Sequence, residues 1–312
     1  MTAEATSSTP DQVRSACARV AGQARSVEIR EGAIEGYAAA LVALPALPPP
    51  DPATHLVEGD RELRAAFVVC LDAINFGSGW WPTIRKRPSH SGYFTIAAGL
   101  TERFRAAGAW GADELTQFQA ADIAAVVGQD PDHPLMAQYA TSLRDVGERV
   151  RADHAGRFEA VIDDADGSAV ALADLLADWE AFADVSTYEE RPVPFFKRAQ
   201  IAAADLNRSG VTALVDEDQL TAFADNVVPH VLRVDGVLRL DGDLEAAIEA
   251  GELLTHGSPE EVELRACALH AIELLSAATG LSPPEIDGAL WNRGREERYK
   301  AIPRPRSRNT AY

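Results

Sequence analysis

Cysteine is scarce in this sequence: among 312 residues only Cys17, Cys70 and Cys267 occur, far apart from one another. An odd and sparse set argues against a disulfide framework and favours a reducing compartment, and without a CxxC pair a structural zinc site is not expected. The seven histidines form no HExxH motif, and the P-loop, the Rossmann glycine pattern and the nucleophile elbow are also missing. These absences disfavour zincins, NTPases, kinases, dehydrogenases and α/β-hydrolases.

Positive charge and long apolar runs are also in short supply. The sequence has 29 Lys and Arg against 48 Asp and Glu, a net charge of −19, and such a surface repels phosphate backbones and anionic lipids. The first twelve residues lack the features of a signal peptide. The longest uncharged apolar stretch, residues 36–50, is too short and too rich in proline to span a bilayer. We therefore expect a soluble, cytoplasmic protein that binds neither polymeric nucleic acid nor membranes.

Basic residues are concentrated at the end of the chain. Residues 293–312 contain seven Lys and Arg against two Glu. A basic tail on an acidic protein is either a solvated end that docks on the acidic body or part of a local site for an anion.

Hydrophobic periodicity indicates helices along most of the chain, with 46% hydrophobic residues to form a core. After a polar, disordered tail at residues 1–10, we expect a first helix from Asp11. Further helices are predicted over residues 32–44, 61–75, 92–106, 112–128, 134–151, 168–182, 194–206, 217–225, 243–250, 259–279 and 283–292. The expected fold class is all-α, with residues 11–312 as a single helical domain or as two lobes with the functional site between them.

Strand signals are confined to residues 231–240. This segment is either a β-hairpin around Asp235-Gly236, or a helix end, a tight glycine turn and the start of another helix. In an otherwise helical chain we favour the second interpretation.

Two segments combine aromatic and charged residues in unusual ways. Trp80 and Trp81 end the run of residues 71–82 at a glycine turn, where they form either a stacking wall for a flat ring or ordinary core aromatics. Lys197 and Arg198 follow two phenylalanines on the first turn of an apolar helix. They are candidates for an anion ligand or for a structural salt bridge.

Two further segments contain carboxylates in apolar surroundings. Asp225 follows Phe223 near the end of the helix predicted over residues 217–225, and a carboxylate there costs solvation unless it is paired or used. It is a candidate catalytic group or a buried capping residue. Asp287 and Asn292 lie on the last predicted helix, which either belongs to a site or closes the core.

Together these segments resemble the queuosine salvage protein family, the queuosine 5′-phosphate N-glycosylases/hydrolases. The resemblance extends from about residue 27 to the C-terminus, and the most specific motifs are KRAQI within residues 195–201 and FADNVVP within residues 220–229. The other motifs are LDAINFGSGWWP at 71–82, SGYF at 91–94, GELLTHGSPEEVELRACALHAIEL at 251–274, DGALWN at 287–292 and PRPRSR at 303–308. The chain departs from the family pattern at Asn226, Asn292 and Pro305.

The resemblance implies a fold similar to the helix-hairpin-helix DNA glycosylases. It also implies hydrolysis of queuosine 5′-phosphate to queuine and ribose 5-phosphate, with a free nucleotide as substrate and no metal or other cofactor. Two alternatives stay open: a DNA-repair-type glycosylase, and a non-catalytic helical protein that binds deazaguanine nucleotides.

Candidate roles follow from the resemblance and from the chemistry of N-glycosidic cleavage. Asp225 is the candidate catalytic carboxylate, since a negative charge beneath the anomeric carbon stabilises an oxocarbenium-like sugar. Asp287 is expected to bind the ammonium of the cyclopentenediol arm, near Asn292. The remaining substrate-binding candidates are Phe223, Trp80 and Trp81 as pocket walls, Lys197, Arg306 and Arg308 for the phosphate, and His55.

Overall fold

A computed structural model describes residues 8–44 and 47–312 of the protein. In these residues the α-helices are α1 (Thr9–Ala21), α2 (Glu31–Leu41), α3 (Arg61–Ala73), α4 (Gly92–Ala107), α5 (Ala112–Leu115), α6 (Ala120–Val127), α7 (Pro134–Asp153), α8 (Phe158–Asp163), α9 (Ala169–Ala177), α10 (Lys197–Arg208), α11 (Val227–Val234), α12 (Gly242–Glu249), α13 (Pro259–Thr279), α14 (Pro283–Arg293) and α15 (Glu297–Lys300). The strands are β1 (Val27–Ile29), β2 (Val185–Tyr188), β3 (Arg191–Pro194), β4 (Leu238–Leu240), β5 (Leu253–Leu254) and β6 (Arg306–Ser307). The prediction of a mostly helical chain is confirmed.

The short strands pair two by two in the described part of the chain. β1 pairs with β4 and β2 with β3, both antiparallel, whereas β5 and β6 are parallel. Sequence periodicity missed them because strands of two to four residues are too short to show an alternating pattern.

Several predicted helix boundaries are corrected by the structure. The helix expected over residues 112–128 is two helices, because a capping box at Gln119 and Asp122 starts α6. The helix expected over residues 168–182 ends at Ala177, and α8 was not predicted. α1 begins at Thr9, so residues 9 and 10 are helical and buried rather than part of the tail; residues 1–7 lie outside the described residues.

The favoured interpretation of residues 231–240 is right in its first half and wrong in its second. α11 ends at Val234, and Gly236 turns the chain with φ +79°, a conformation that suits glycine. The chain then enters β4 and not a helix, because residues 238–240 pair with β1.

The protein divides into two compact units, which we describe separately. The described residues of the first unit come from the segments Met1–Leu47, Asp184–Lys197 and Asp216–Ser307. The second unit comprises Pro48–Ala183, Arg198–Val215 and Arg308–Tyr312.

The long helix α13 is the centre of the first unit. It packs against α1, α2, α14 and β1, and its start and end are set by Ser258, whose side chain caps the first turn, and by Gly280 in the left-handed conformation. Cys17 and Cys267 lie in this core, are free and are buried. In the described residues no single helix is long and apolar enough to cross a membrane; α13 and α14 pass that test only as a pair bent by 113°.

The second unit is built around α3, which packs against α4, α7 and α8. Its core includes a row of aromatic rings in edge-to-face contact, with centroids 4.8–5.6 Å apart, a favourable arrangement for aromatic pairs. The rings in this row are Phe67, Phe104, Trp110 and Phe118.

Candidate active site

Asp225 lies in an extended segment that ends where α11 begins. Its Oδ1 accepts hydrogen bonds from the N–H groups of Val227 (2.7 Å) and Val228 (3.1 Å). The carboxylate therefore lies at the positive end of a helix dipole. The prediction that residues 217–225 form a helix is wrong: only a 3₁₀ turn at Glu217–Gln219 forms.

The extended conformation of residues 220–224 follows from their burial. All five side chains are buried, whereas a helix would turn part of them to solvent. Distant side chains satisfy the backbone instead: Asp287 accepts the Phe223 N–H, and Arg265 donates to the Ala224 carbonyl. Phe223 and Asp225 thus take their positions from tertiary contacts.

The second oxygen of Asp225 is available for chemistry. No hydrogen bond from the described residues reaches Oδ2. The pKa of the carboxyl is raised above its ordinary value by burial, against the opposing effects of the Lys197 ammonium, the two helix N–H groups and the Arg304 guanidinium. One oxygen is fixed, the other is unbonded, and nearby cations favour the charged form.

Asp287 is a second carboxyl beside Asp225, in a different environment. It lies on α14, is 4% exposed, and accepts the Phe223 N–H at Oδ1 (2.9 Å). Burial raises its pKa well above the ordinary value and the charge of Asp225 raises it further, against the Phe223 N–H and Lys197. Two neighbouring carboxyls whose pKa values are raised to different extents are the arrangement from which different acid and base roles arise.

Lys197 is a cation whose charge acts on both Asp225 and Asp287. It is the first residue of α10 and is 5% exposed, and its charge lowers the pKa of both Asp225 and Asp287. Its neighbour Arg198 has a different setting in the second unit, where its guanidinium lies over the rings of Phe76 and Phe182. Arg198 therefore has structural contacts in the second unit, and an anion-binding role for Lys197 stays a prediction.

In the basic tail, Arg304 is the arginine whose charge acts on Asp225. Burial lowers the pKa of Arg304 and Asp225 raises it, and the side chain donates to the Gly294 carbonyl at 3.2 Å. Arg306 lies on β6 and lowers the pKa of Arg304, so its charge is also near. The sequence analysis named Arg306 and omitted Arg304, although both belong to the same basic run.

The other first-unit candidates are Phe223 and Asn292. Phe223 is 8% exposed, its N–H donates to Asp287, and it lies two residues before Asp225 in the chain. Asn292 is half-buried on α14, as predicted, and its Oδ1 accepts a hydrogen bond from Arg295 at 3.3 Å.

The remaining predicted residues belong to the second unit. Trp81 packs on Gly92, where an added Cβ would collide with the Trp81 ring, so this close contact requires glycine at position 92. Trp80 is half-buried. Arg308 is exposed, and its charge lowers the pKa of His133.

His55 is half-buried in the second unit and lines a small cleft. Its Nε2 lies 3.1 Å from the Tyr93 hydroxyl and its Nδ1 lies 3.0 Å from the Thr54 hydroxyl. Burial lowers its pKa, which favours the neutral imidazole. The cleft is also lined by Asp72 and Arg208. A metal-binding group of three or more His, Cys, Asp or Glu side chains is absent from the residues that the structure describes.

Replacing the Asp287 carboxyl by an amide is expected to stabilise the protein at neutral pH. The raised pKa means that folded Asp287 binds its proton above the unfolded value of about 3.9. Its contribution to the free energy of unfolding is therefore largest below that pH and is lost as the pH rises through the folded pKa. Asp287→Asn removes this loss and still accepts the Phe223 N–H.

The expected gain in Tm at neutral pH is roughly 2–4 °C, the usual effect of one stabilising substitution in a domain of this size. The gain should shrink toward zero as the pH approaches about 4. Thermal unfolding followed by circular dichroism from pH 4 to 8 measures both. A gain that does not depend on pH would contradict the raised pKa of Asp287.

Comparison with known proteins finds matches over most of the chain. A family model described as "Queuosine salvage protein" matches residues 54–312. A relative from Sphaerobacter thermophilus, named queuosine 5′-phosphate N-glycosylase/hydrolase, is 34% identical over 309 residues, 94% of this chain and 95% of the relative. Relatives with the same name from Dictyostelium discoideum and Bos taurus are 30% identical (80% of this chain, 79% of the relative) and 26% identical (78% and 80%).

Proposed function

Because the chain belongs to the queuosine salvage protein family, we propose that it hydrolyses the N-glycosidic bond of queuosine 5′-phosphate and releases queuine. The observation that carries this proposal is the Asp225 carboxylate, with Oδ1 fixed at the start of α11 and Oδ2 unbonded in the described structure. The family membership and the names of the relatives support the substrate, and the site supports the chemistry.

In the proposed reaction, Asp225 stabilises the sugar as the bond from its anomeric carbon to the base nitrogen breaks. The bonding electrons leave with the base, the sugar becomes oxocarbenium-like, and the oxygen of a water molecule bonds to the anomeric carbon. The water gives up one proton, and the departing base takes one up. A 7-deazaguanine has no N7 lone pair to protonate. The carboxylate and a pocket that excludes water must therefore supply more of the transition-state stabilisation.

Phe223, Asp287 and Asn292 are the proposed contacts for the base. The Phe223 ring supplies an apolar wall, and Asp287 receives the ammonium of the cyclopentenediol arm. Because burial and the charge of Asp225 raise the pKa of Asp287, the entering ammonium would supply the positive charge that stabilises its carboxylate form. The roles of Trp80, Trp81 and His55 as substrate-binding residues stay predictions.

The arm-recognition role of Asp287 predicts a change in substrate selectivity. Asp287→Ala should raise KM for queuosine 5′-phosphate by roughly 10-fold, the value of one charge-assisted hydrogen bond. A 7-deazaguanine nucleotide that lacks the arm should be affected much less. Parallel kinetics on the two nucleotides measure this, and an unchanged selectivity ratio would show that Asp287 does not contact the arm.

The phosphate is proposed to lie among Lys197, Arg304 and Arg306; the role of Arg308 as a phosphate ligand stays a prediction. Arginine binds phosphate through two parallel hydrogen bonds, which a lysine cannot do. The local cluster of cations overcomes a net charge of −19, which supports a free nucleotide rather than a polymer as substrate.

Arg304→Ala is expected to weaken the use of the nucleotide far more than the use of the nucleoside. Loss of one charged contact, worth roughly 1.5–3 kcal/mol, should lower kcat/KM for queuosine 5′-phosphate by about 10- to 100-fold. The matched control is Arg298→Ala. Arg298 is an exposed arginine of the same basic tail, and it pairs with Asp235. Equal losses on nucleotide and nucleoside would show that Arg304 does not contact the phosphate.

We also propose a fold related to the helix-hairpin-helix DNA glycosylases and a cytoplasmic location. The predominance of helices and the turn at Gly236 support the first. The three free, buried cysteines support a reducing compartment.

The proposed function is tested by incubating the purified protein with queuosine 5′-phosphate. We expect free queuine and ribose 5-phosphate in equal amounts by mass spectrometry. Intact substrate bound in a saturable manner would favour the non-catalytic alternative. Release of a base from a DNA duplex, with no action on the nucleotide, would favour the DNA-repair alternative.

A further inference from the structure

A buried ion pair connects the segment before Lys197 to the segment before Asp225. Asp184 is 3% exposed and Arg265, on α13, is 1% exposed. The guanidinium forms two parallel bonds with the carboxylate, Nη1 to Oδ1 at 3.0 Å and Nη2 to Oδ2 at 2.6 Å. This bidentate geometry fixes the two groups in orientation as well as in distance.

Asp184 holds the turn that presents Lys197. Its carbonyl accepts the N–H groups of Phe195 (2.9 Å) and Phe196 (3.3 Å), and its Oδ2 accepts the N–H of Lys197 (3.2 Å). Phe196 has φ +46°, a left-handed conformation that costs free energy in a bulky residue and persists only where the surroundings enforce it. Here the hydrogen bonds from three consecutive backbone N–H groups to Asp184 hold Phe196 in this conformation.

Arg265 holds the segment that presents Asp225. Its Nε donates to the carbonyl of Ala224 at 3.0 Å, and its guanidinium lies 3.9 Å from the centroid of the Phe195 ring. The side chain therefore bonds the residue next to Asp225 while it stacks on a residue of the Lys197 turn.

Packing alone gives no reason for an ion pair at this position. The cost of removing two charges from water offsets their attraction, so apolar residues of the same volume are often as stable or more stable. We propose that the Asp184–Arg265 pair is a positioning device that sets the separation of Lys197 and Asp225 for the hydrolysis. Asp184 and Arg265 are positioning residues, since they act through Lys197 and Asp225. The inference rests on the proposed function.

The main test is the double variant Asp184→Leu/Arg265→Met, which replaces the pair by apolar side chains and is expected to fold. Loss of the fixed geometry should lower kcat for queuosine 5′-phosphate by roughly 10- to 100-fold. Arg14→Met is the control: Arg14 pairs with Glu273 and bonds the carbonyls of Gln219 and Leu220 in the same unit. It should keep the wild-type kcat even if its Tm falls.

A second readout does not depend on turnover. The carboxyl of Asp225, followed by ¹³C NMR in the free protein, should titrate at higher pH in the double variant, because Lys197 no longer lies at a fixed distance. Arg304 and Asp287 also act on this carboxyl, and neither bonds to the pair. The Arg14→Met control should leave this titration unchanged.

Native kcat and native titration of Asp225 in the folded double variant would overturn the proposal. Should the double variant not fold, Arg265→Lys decides, since it keeps the charge and loses the bidentate geometry. A joint change in kcat and titration supports positioning, and native values for both overturn it. If the wild-type protein does not hydrolyse the nucleotide, the proposed function fails, and the NMR titration still tests the pair.

Discussion

Asp225→Asn is expected to lower kcat for queuosine 5′-phosphate by on the order of 10²-fold or more, with substrate binding nearly intact. The amide keeps an oxygen that accepts the Val227 and Val228 N–H groups, so the start of α11 is preserved. It removes the negative charge that stabilises the oxocarbenium-like sugar, and one preorganised electrostatic contact to a transition state has about this value. Steady-state kinetics together with calorimetric binding of the nucleotide separate the two effects.

Asp218→Asn is the matched control for this prediction. Asp218 is exposed on the 3₁₀ turn seven residues earlier, so the same chemical change there should leave kcat at the wild-type value. If Asp225→Asn also keeps the wild-type kcat, Asp225 is a capping residue and the proposed mechanism is wrong.

Lys197→Met is expected to lower kcat/KM near neutral pH by roughly 10- to 100-fold and to move the acidic limb of the pH profile upward. The Lys197 ammonium lowers the pKa of Asp225 against the effect of burial. An opposite charge at such a position shifts a carboxyl pKa by about 1–3 units. Without it, Asp225 is protonated up to a higher pH. The activity lost through this protonation returns as the pH rises, whereas the activity lost with the proposed phosphate contact does not.

Two other variants make the Lys197 prediction specific. Lys197→Arg retains the charge, so the acidic limb should stay closer to that of the wild type than in Lys197→Met. Lys300→Met removes an exposed lysine of the same unit and should not move the limb. An unchanged pH profile in Lys197→Met would exclude the proposed electrostatic role.

The helix that carries Asp287 and Asn292, and the helix before it, could be predicted because their signals are local. Residues 259–279 form a helix with the predicted bounds, since Ser258 and Pro259 start it and Gly280 ends it. The next helix starts with a capping box at Ser282 and Glu285. Asp287 and Asn292 therefore lie on one helix, as the sequence indicated.

The backbone around Asp225 could not be predicted from the sequence. Residues 220–225 have no local signal for their extended form, because the groups that bond their backbone, Asp287 and Arg265, lie 64 and 41 positions away along the chain. Periodicity alone favoured a helix, which these long-range contacts override. The predicted setting of Asp225 was wrong, since it lies before a helix and not at the end of one; its catalytic role stays a prediction.

The choice between arginines of the basic tail is also set by tertiary structure. Pairing of β5 with β6 fixes Arg306 opposite Leu253, and Arg304 precedes that pairing and lies where its charge acts on Asp225. Composition could indicate an anion site in residues 293–312. It could not indicate which arginine acts on the carboxylate, because that depends on the pairing of two strands of two residues each.

Single-turnover hydrolysis of queuosine 5′-phosphate by the wild-type protein and by Asp225→Asn, each saturated with the nucleotide, tests the central claim most directly. Queuine and ribose 5-phosphate are measured by mass spectrometry over time. We predict one equivalent of queuine per wild-type active site in the first turnover. For Asp225→Asn with bound nucleotide, the rate should be lower by on the order of 10²-fold or more. No queuine from the wild-type protein, or equal rates from the two proteins, would contradict the account.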